Sequence, residues 1–145
     1  MVHSALNKRI LIVEDDPDDQ EYAQKILQPH YEVDFAADAQ EARGKLIGFP
    51  PDLLLCDIYM PGEPGMDLAE AILTTRRHEI AVVMVTGLDD PEVAERATDL
   101  GCDGYLTKPY TADELLKAVG DALAARGAKA EQGAPEQERA AERDR

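Results

Sequence analysis

Two rhythms of apolar residues alternate along this chain. Arg9–Val13 carries Ile10, Leu11, Ile12 and Val13 in a near-continuous run, the pattern of a strand covered on both faces. Leu53-Leu54-Leu55-Cys56 and Ile80–Val85 repeat it, Gly104–Leu106 predicts a short strand, and Tyr31–Phe35 alternates as an edge strand would. Between them apolar residues recur at helical spacing. Pro17 suits a first helical turn, with Tyr22, Ile26 and Leu27 inward. Asp38 caps a helix through Ile47, with Ala39, Ala42 and Leu46 inward and Gly48 as its stop. Gly65 precedes a helix that turns Leu68, Ala69, Ile72 and Leu73 inward. Asp90-Pro91 starts another and Leu100-Gly101 stops it. Thr111 and Glu114 form a capping box for a last helix with Leu115, Leu116, Val119 and Leu123 inward. Strict strand–helix alternation predicts an α/β domain, a doubly wound five-stranded parallel sheet with helices on both faces and right-handed crossovers.

The strand ends carry chemistry. Glu14-Asp15 follow the first apolar run, Asp57 ends the run Leu53–Cys56, Thr86 follows Val85, and Lys108-Pro109 follow Tyr105-Leu106. Ligands of open parallel sheets bind outside the carboxyl ends of the strands, so these groups describe one site. Carboxylates that close raise each other's pKa unless a cation neutralises them. Mg2+ suits such a set, because it takes one or two carboxylates together with phosphate oxygens and water. Glu14, Asp15 and Asp16 also suit the positive end of a helix, whereas Asp57 has no helix start beside it. Lys108 supplies a cation and Thr86 a hydroxyl for a phosphate oxygen, and Gly87 leaves the approach to Thr86 uncrowded. Either isomer of the Lys108-Pro109 bond is compatible with the sequence.

Composition narrows the partners. A chain of 145 residues fits one domain. A net charge of −15 disfavours nucleic acid and anionic membranes. An apolar run long enough to span a membrane is missing, as is a basic-then-apolar leader, so the expected location is cytoplasmic. Cys56 and Cys102 do not suggest a disulfide framework and read as small reduced core or turn residues. After Gly127 the sequence turns to Ala, Glu, Gln and Arg without an apolar stripe. We therefore expect a flexible start at residues 1–6, a domain at 7–127 and a disordered charged tail at 128–145.

The segments ILIVEDDP (Ile10–Pro17), DIYMPGEPGMDL (Asp57–Leu68), VTG (Val85–Gly87) and YLTKP (Tyr105–Pro109) together resemble the receiver domain of the two-component response regulator family. The likeness spans about residues 7–126, and its type is the stand-alone, chemotaxis-regulator-like receiver. It implies a flavodoxin-like fold with strand order 2-1-3-4-5. It also implies Asp57 as phosphoacceptor, Asp15 as a direct Mg2+ ligand, Glu14 as a ligand through water and the Tyr59 carbonyl as a further ligand. Lys108 would pair with the phosphoryl group, and Thr86 and Tyr105 would be the switch pair. The implied partners are a histidine kinase as phosphodonor and a protein target on the face of the fourth helix, fifth strand and fifth helix, with the chain a monomer or weak dimer that binds neither nucleic acid nor membrane.

Tyr59, two residues after Asp57, and Leu88, two after Thr86, depart from the family's pattern. Neither suits orientation of an attacking water, so slow loss of phosphate is expected. Pro64 is a further departure with no function attached. A haloacid-dehalogenase-like phosphatase would need an acid at position 59, and a flavodoxin would need a hydroxyl-rich loop where Glu14-Asp15-Asp16 stand. The remaining alternative is a receiver-like interaction module working without phosphate. The sequence is compatible with a stand-alone receiver, the reading slightly favoured, and with a receiver cut from a longer chain.

Overall fold

The computed structural model describes residues 8–48, 50–75, 79–87 and 90–127. The expectations for 1–6 and 128–145 fall outside these residues, as does Leu88. The strands are β1 (Arg9–Val13), β2 (Glu32–Ala36), β3 (Leu53–Asp57), β4 (Ala81–Thr86) and β5 (Gly104–Thr107). They form one parallel sheet in the order β2-β1-β3-β4-β5. The helices are α1 (Pro17–Leu27), α2 (Ala39–Gly48), α3 (Gly65–Thr75), α4 (Pro91–Leu100) and α5 across 112–127. This is the expected doubly wound, flavodoxin-like order. Among the described residues no helix is long and apolar enough to cross a membrane.

The near-continuous apolar runs exist because the central strands are covered twice. Successive side chains on a strand point to opposite faces. Leu11, Val13, Leu54, Cys56, Val82 and Met84 face α2, α3 and α4, meeting Ala42, Leu46, Leu68, Ile72 and Ala97. Ile10, Ile12, Leu53, Leu55, Val83 and Val85 face α1 and α5, meeting Ala23, Leu27, Leu115 and Val119. Strand β2 lies at the edge and keeps its alternation.

Local signals act as their chemistry dictates. Asp16 caps α1, its Oδ1 accepting from the amides of Asp18 (2.8 Å) and Asp19 (3.3 Å). Asp38 accepts from Glu41 N, and Glu41 accepts from Ala37 N in return. Thr111 and Glu114 exchange hydrogen bonds as a capping box. Gly101 ends α4 in the left-handed region, φ 93°. At Gly65 a Cβ would stand 1.9 Å from the Asp57 carbonyl oxygen, so α3 starts against the end of β3 at a distance only glycine permits.

Several inward stripes differ from the sequence reading. In α1 the buried residues are Ala23 and Leu27, Ile26 is half-buried, and Tyr22 lies at the rim with its ring against Tyr110. In α5 Leu115, Val119 and Ala122 are buried and Leu116 and Leu123 only half-buried. Gly48 is the last residue of α2 rather than the stop after it, and strand limits shift by one residue at β2, β4 and β5. The α5 stripe ends on a charge. The Arg126 side chain is 6% exposed and its Nη2 is 2.6 Å from Oδ2 of Asp103, which is fully buried. The same oxygen accepts from Val82 N at 2.9 Å. This ties the end of α5 to the amino ends of β4 and β5.

Removing one partner of a buried ion pair leaves a charge without compensation. Arg126→Met should therefore lower unfolding stability by about 3 kcal/mol, measured as the shift of the urea midpoint.

Candidate functional site

Strands β1, β3, β4 and β5 deliver their last residues to one edge, as a parallel sheet must. Glu14 leaves β1 and is held there by its amide, which donates to Ala36 O (3.0 Å). Asp57 closes β3, and the next amide, Ile58 N, donates to Val85 O of β4 (2.8 Å). Thr86 closes β4 fully buried, and its carbonyl accepts from Lys108 N just past β5 (2.7 Å). The Lys108-Pro109 bond is cis.

Side chains converge at this edge. Glu14, Asp15 and Asp57 each offer a carboxylate oxygen within 4.8 Å of the others, with Glu14 and Asp57 buried and Asp15 exposed. Lys108 Nζ lies 2.8 Å from Glu14 Oε1, 2.8 Å from Asp19 Oδ2 and 3.3 Å from Asp57 Oδ2. Asp57 Oδ1 accepts from Tyr59 N at 3.2 Å. Glu14 Oε2 accepts from Asp16 N (3.1 Å), and Gln20 Nε2 donates to the Glu14 carbonyl (3.0 Å). The first-turn acids therefore divide. Asp16 is the helix cap, while Glu14 and Asp15 face the cluster.

Electrostatics follow from one cation among several acids. Burial is the largest influence on Glu14 and outweighs its hydrogen bonds from Lys108 and Asp16, with repulsion from Asp57 adding, so its carboxyl is pushed up to about 7. Burial alone would lower Lys108, but its bonds to Asp19 and Glu14 and the charge of Asp57 win and hold its proton more firmly than usual. An oxygen-only set of clustered carboxylates fits a hard divalent cation such as Mg2+. Burial pushes the Cys56 thiol up, and Cys102 rises to about 12 for the same reason. Both are free thiols and behave as packing residues.

Tyr59 and Tyr105 stand outside this knot. The Tyr59 ring is half-exposed and lines an open groove with Met60, Pro61, Met66, Val93 and Arg96. Tyr105 lies in β5 opposite Met84, packs against the core on the α4 side, and has its hydroxyl shielded from solvent. The resemblance implied Tyr105 as half of a switch pair, and in this structure its ring is turned inward. Sequence reasoning missed Asp19 as a partner of Lys108. The signal was the three-acid turn Asp16-Pro17-Asp18-Asp19, but only the rotation of α1 decides which acid meets a lysine 89 positions on.

A flavodoxin-like sheet with carboxylates and a lysine on its carboxyl edge is an arrangement that signalling receivers use. The sequence model of the response regulator receiver domain matches residues 10–120, and the chain belongs to that family. Chemotaxis protein CheY of Halobacterium salinarum is 30% identical over 121 residues, covering 81% of this chain and 98% of that protein. Transcriptional regulatory protein PdtaR of Mycobacterium tuberculosis is 34% identical over 118 residues, covering 80% of this chain and 57% of that protein. The chain thus spans about half the length of several curated relatives it matches. A CheY-like response regulator receiver domain from Methanospirillum hungatei superposes with TM-score 0.78 and 32% identity, over 84% of this chain and 98% of the other.

The Glu14 shift has a sign that can be checked. Its folded pKa lies above the ordinary 4.5, so between these values the folded state binds a proton that the unfolded state has lost. Its contribution to stability therefore falls as pH rises from about 5 to about 7. In metal-free buffer Glu14→Gln should flatten this part of the melting-temperature profile, read by circular dichroism.

Proposed function

We propose that the chain is a phosphoacceptor in two-component signalling, taking a phosphoryl group from a histidine kinase on Asp57. The observation that carries the reading is Asp57 itself. It is a buried carboxylate at a strand end, with Glu14 and Asp15 on one side and Lys108 at 3.3 Å. Family membership supports the same assignment.

Asp57 would act as the nucleophile. One carboxylate oxygen attacks phosphorus as the bond to the donor imidazole nitrogen breaks in line, giving an aspartyl phosphate. The Tyr59 amide bonds Oδ1 and leaves Oδ2 toward Lys108, which fixes the orientation of the carboxylate. Lys108 can follow the new phosphoryl oxygens from its present position, and Thr86 would supply a hydroxyl bond from the end of β4. Glu14, Asp15 and Asp57, with the Tyr59 carbonyl, would hold Mg2+, which supplies charge neutralisation for the incoming anion. The readout would run through Thr86 and Tyr105 to the face of α4, β5 and α5, where a protein target binds, a local charge event with a distant consequence. The receiver unit is taken as residues 7–127 and the location as the cytoplasm.

Incubation with Mg2+ and acetyl phosphate should give a phosphoryl adduct by intact mass on the wild type and none on Asp57→Ala. A wild type that never gains the adduct would instead favour an interaction module independent of phosphate. Tyr59 carries a second expectation, since its ring, directed along the open groove beside Asp57, is ill placed to orient an attacking water and can shield the phosphoryl group. Tyr59→Asn should lose the phosphoryl group several-fold faster than wild type in a decay assay, and equal lifetimes would exclude shielding by Tyr59.

A further inference from the structure

One carboxylate on Lys108 has no part in the chemistry above. Asp19, in the first turn of α1, places Oδ2 2.8 Å from Lys108 Nζ, as near as Glu14 and nearer than Asp57 at 3.3 Å. An ammonium has three N–H donors, and these three oxygens engage them all. Asp19 is not spent on capping, because the cap is the Asp16 carboxylate, which accepts the Asp19 amide.

The position of Asp19 is fixed by a second tie from the same helix. The Tyr22 hydroxyl donates to the Tyr110 carbonyl at 2.8 Å, and the two rings lie 5.5 Å apart. Helix α1 is thus held at both Lys108 and the loop just after it. The three acids differ in what leaving Lys108 would cost them. Glu14 and Asp57 are enclosed, with side chains 7% and 8% exposed, whereas the Asp19 side chain is 42% exposed. Water can replace Lys108 at Asp19 far more easily than at the buried pair.

A phosphoryl group on Asp57 brings new anionic oxygens that need the same ammonium. The contact most readily surrendered is the one to Asp19. We propose that Asp19 is a positioning residue that competes for Lys108 in the unphosphorylated protein and so opposes loading of the acceptor. This rests on Asp57 being the phosphoacceptor. Asp19 acts only through Lys108, and the strength of its hold sets how much donor is needed to populate the loaded state.

The test is equilibrium binding of beryllofluoride, which mimics the phosphoryl group on an aspartate, at fixed Mg2+. Calorimetry follows wild type, Asp19→Asn and Asp19→Glu, and the Asp19→Asn change is repeated in a Lys108→Ala background. Fluorine NMR serves where binding is weak. Asp19→Asn should bind about twofold to fivefold more tightly than wild type, the range for a partly exposed ion pair. Asp19→Glu, which keeps the charge, should stay near wild type. In the Lys108→Ala background the gain should vanish, since the partner through which Asp19 acts is gone. Equal or weaker binding by Asp19→Asn overturns the proposal. So does a gain that persists without Lys108, because it would then be general charge repulsion. A wild type that binds no beryllofluoride overturns the phosphoacceptor reading and this proposal with it, and is told apart by that first measurement alone.

Discussion

The edge of this sheet depends on the charge of one lysine. Glu14, Asp15, Asp19 and Asp57 crowd the carboxyl ends of β1 and β3, and Lys108 is the cation that reaches three of them. Among the described residues the one positive charge that reaches these acids cannot balance them. Burial, with repulsion from Asp57 adding to it, keeps the Glu14 proton to unusually high pH despite the neighbouring ammonium. A site left this short of positive charge is built to receive more of it, which is why the oxygen cluster suits a divalent ion. An anion added at this edge would compete with the carboxylates for the same ammonium.

The fold supplies the rigidity this arrangement needs. Two apolar layers clamp the central strands, so the strand ends cannot separate to relieve repulsion between their acids. Close approach of α3 to β3 at Gly65 fixes the Asp57 backbone from one side, and the bond from Ile58 to Val85 fixes it from the other. The carboxylates are held together by packing elsewhere, not by attraction among themselves.

Much of this was legible in the sequence because the signals are local. Buried strands read as unbroken apolar runs, and caps such as Asp90-Pro91 and Thr111–Glu114 depend on residues within one helical turn. The spatial order of strands came from resemblance, since strand–helix alternation fixes no neighbours, although the period-2 pattern of Tyr31–Phe35 marked an edge. Pairs distant in the chain stayed hidden. Arg126 reads as a surface residue at the end of a helix until Asp103 is found beneath it. Tyr22 reads as core by spacing, yet its hydroxyl has to reach the Tyr110 carbonyl at the rim. Asp19 reads as a dipole partner, and nothing nearby in sequence points to Lys108.

The Asp103–Arg126 pair lies at the opposite end of the sheet from the acids, where it joins α5 to the start of β4. Helix α5 is thus secured at its far end by a buried ion pair and along its length by the buried Leu115 and Val119. This tie at the amino ends of β4 and β5 lets the carboxyl edge carry its crowd of acids without the helix having to be held there by charge.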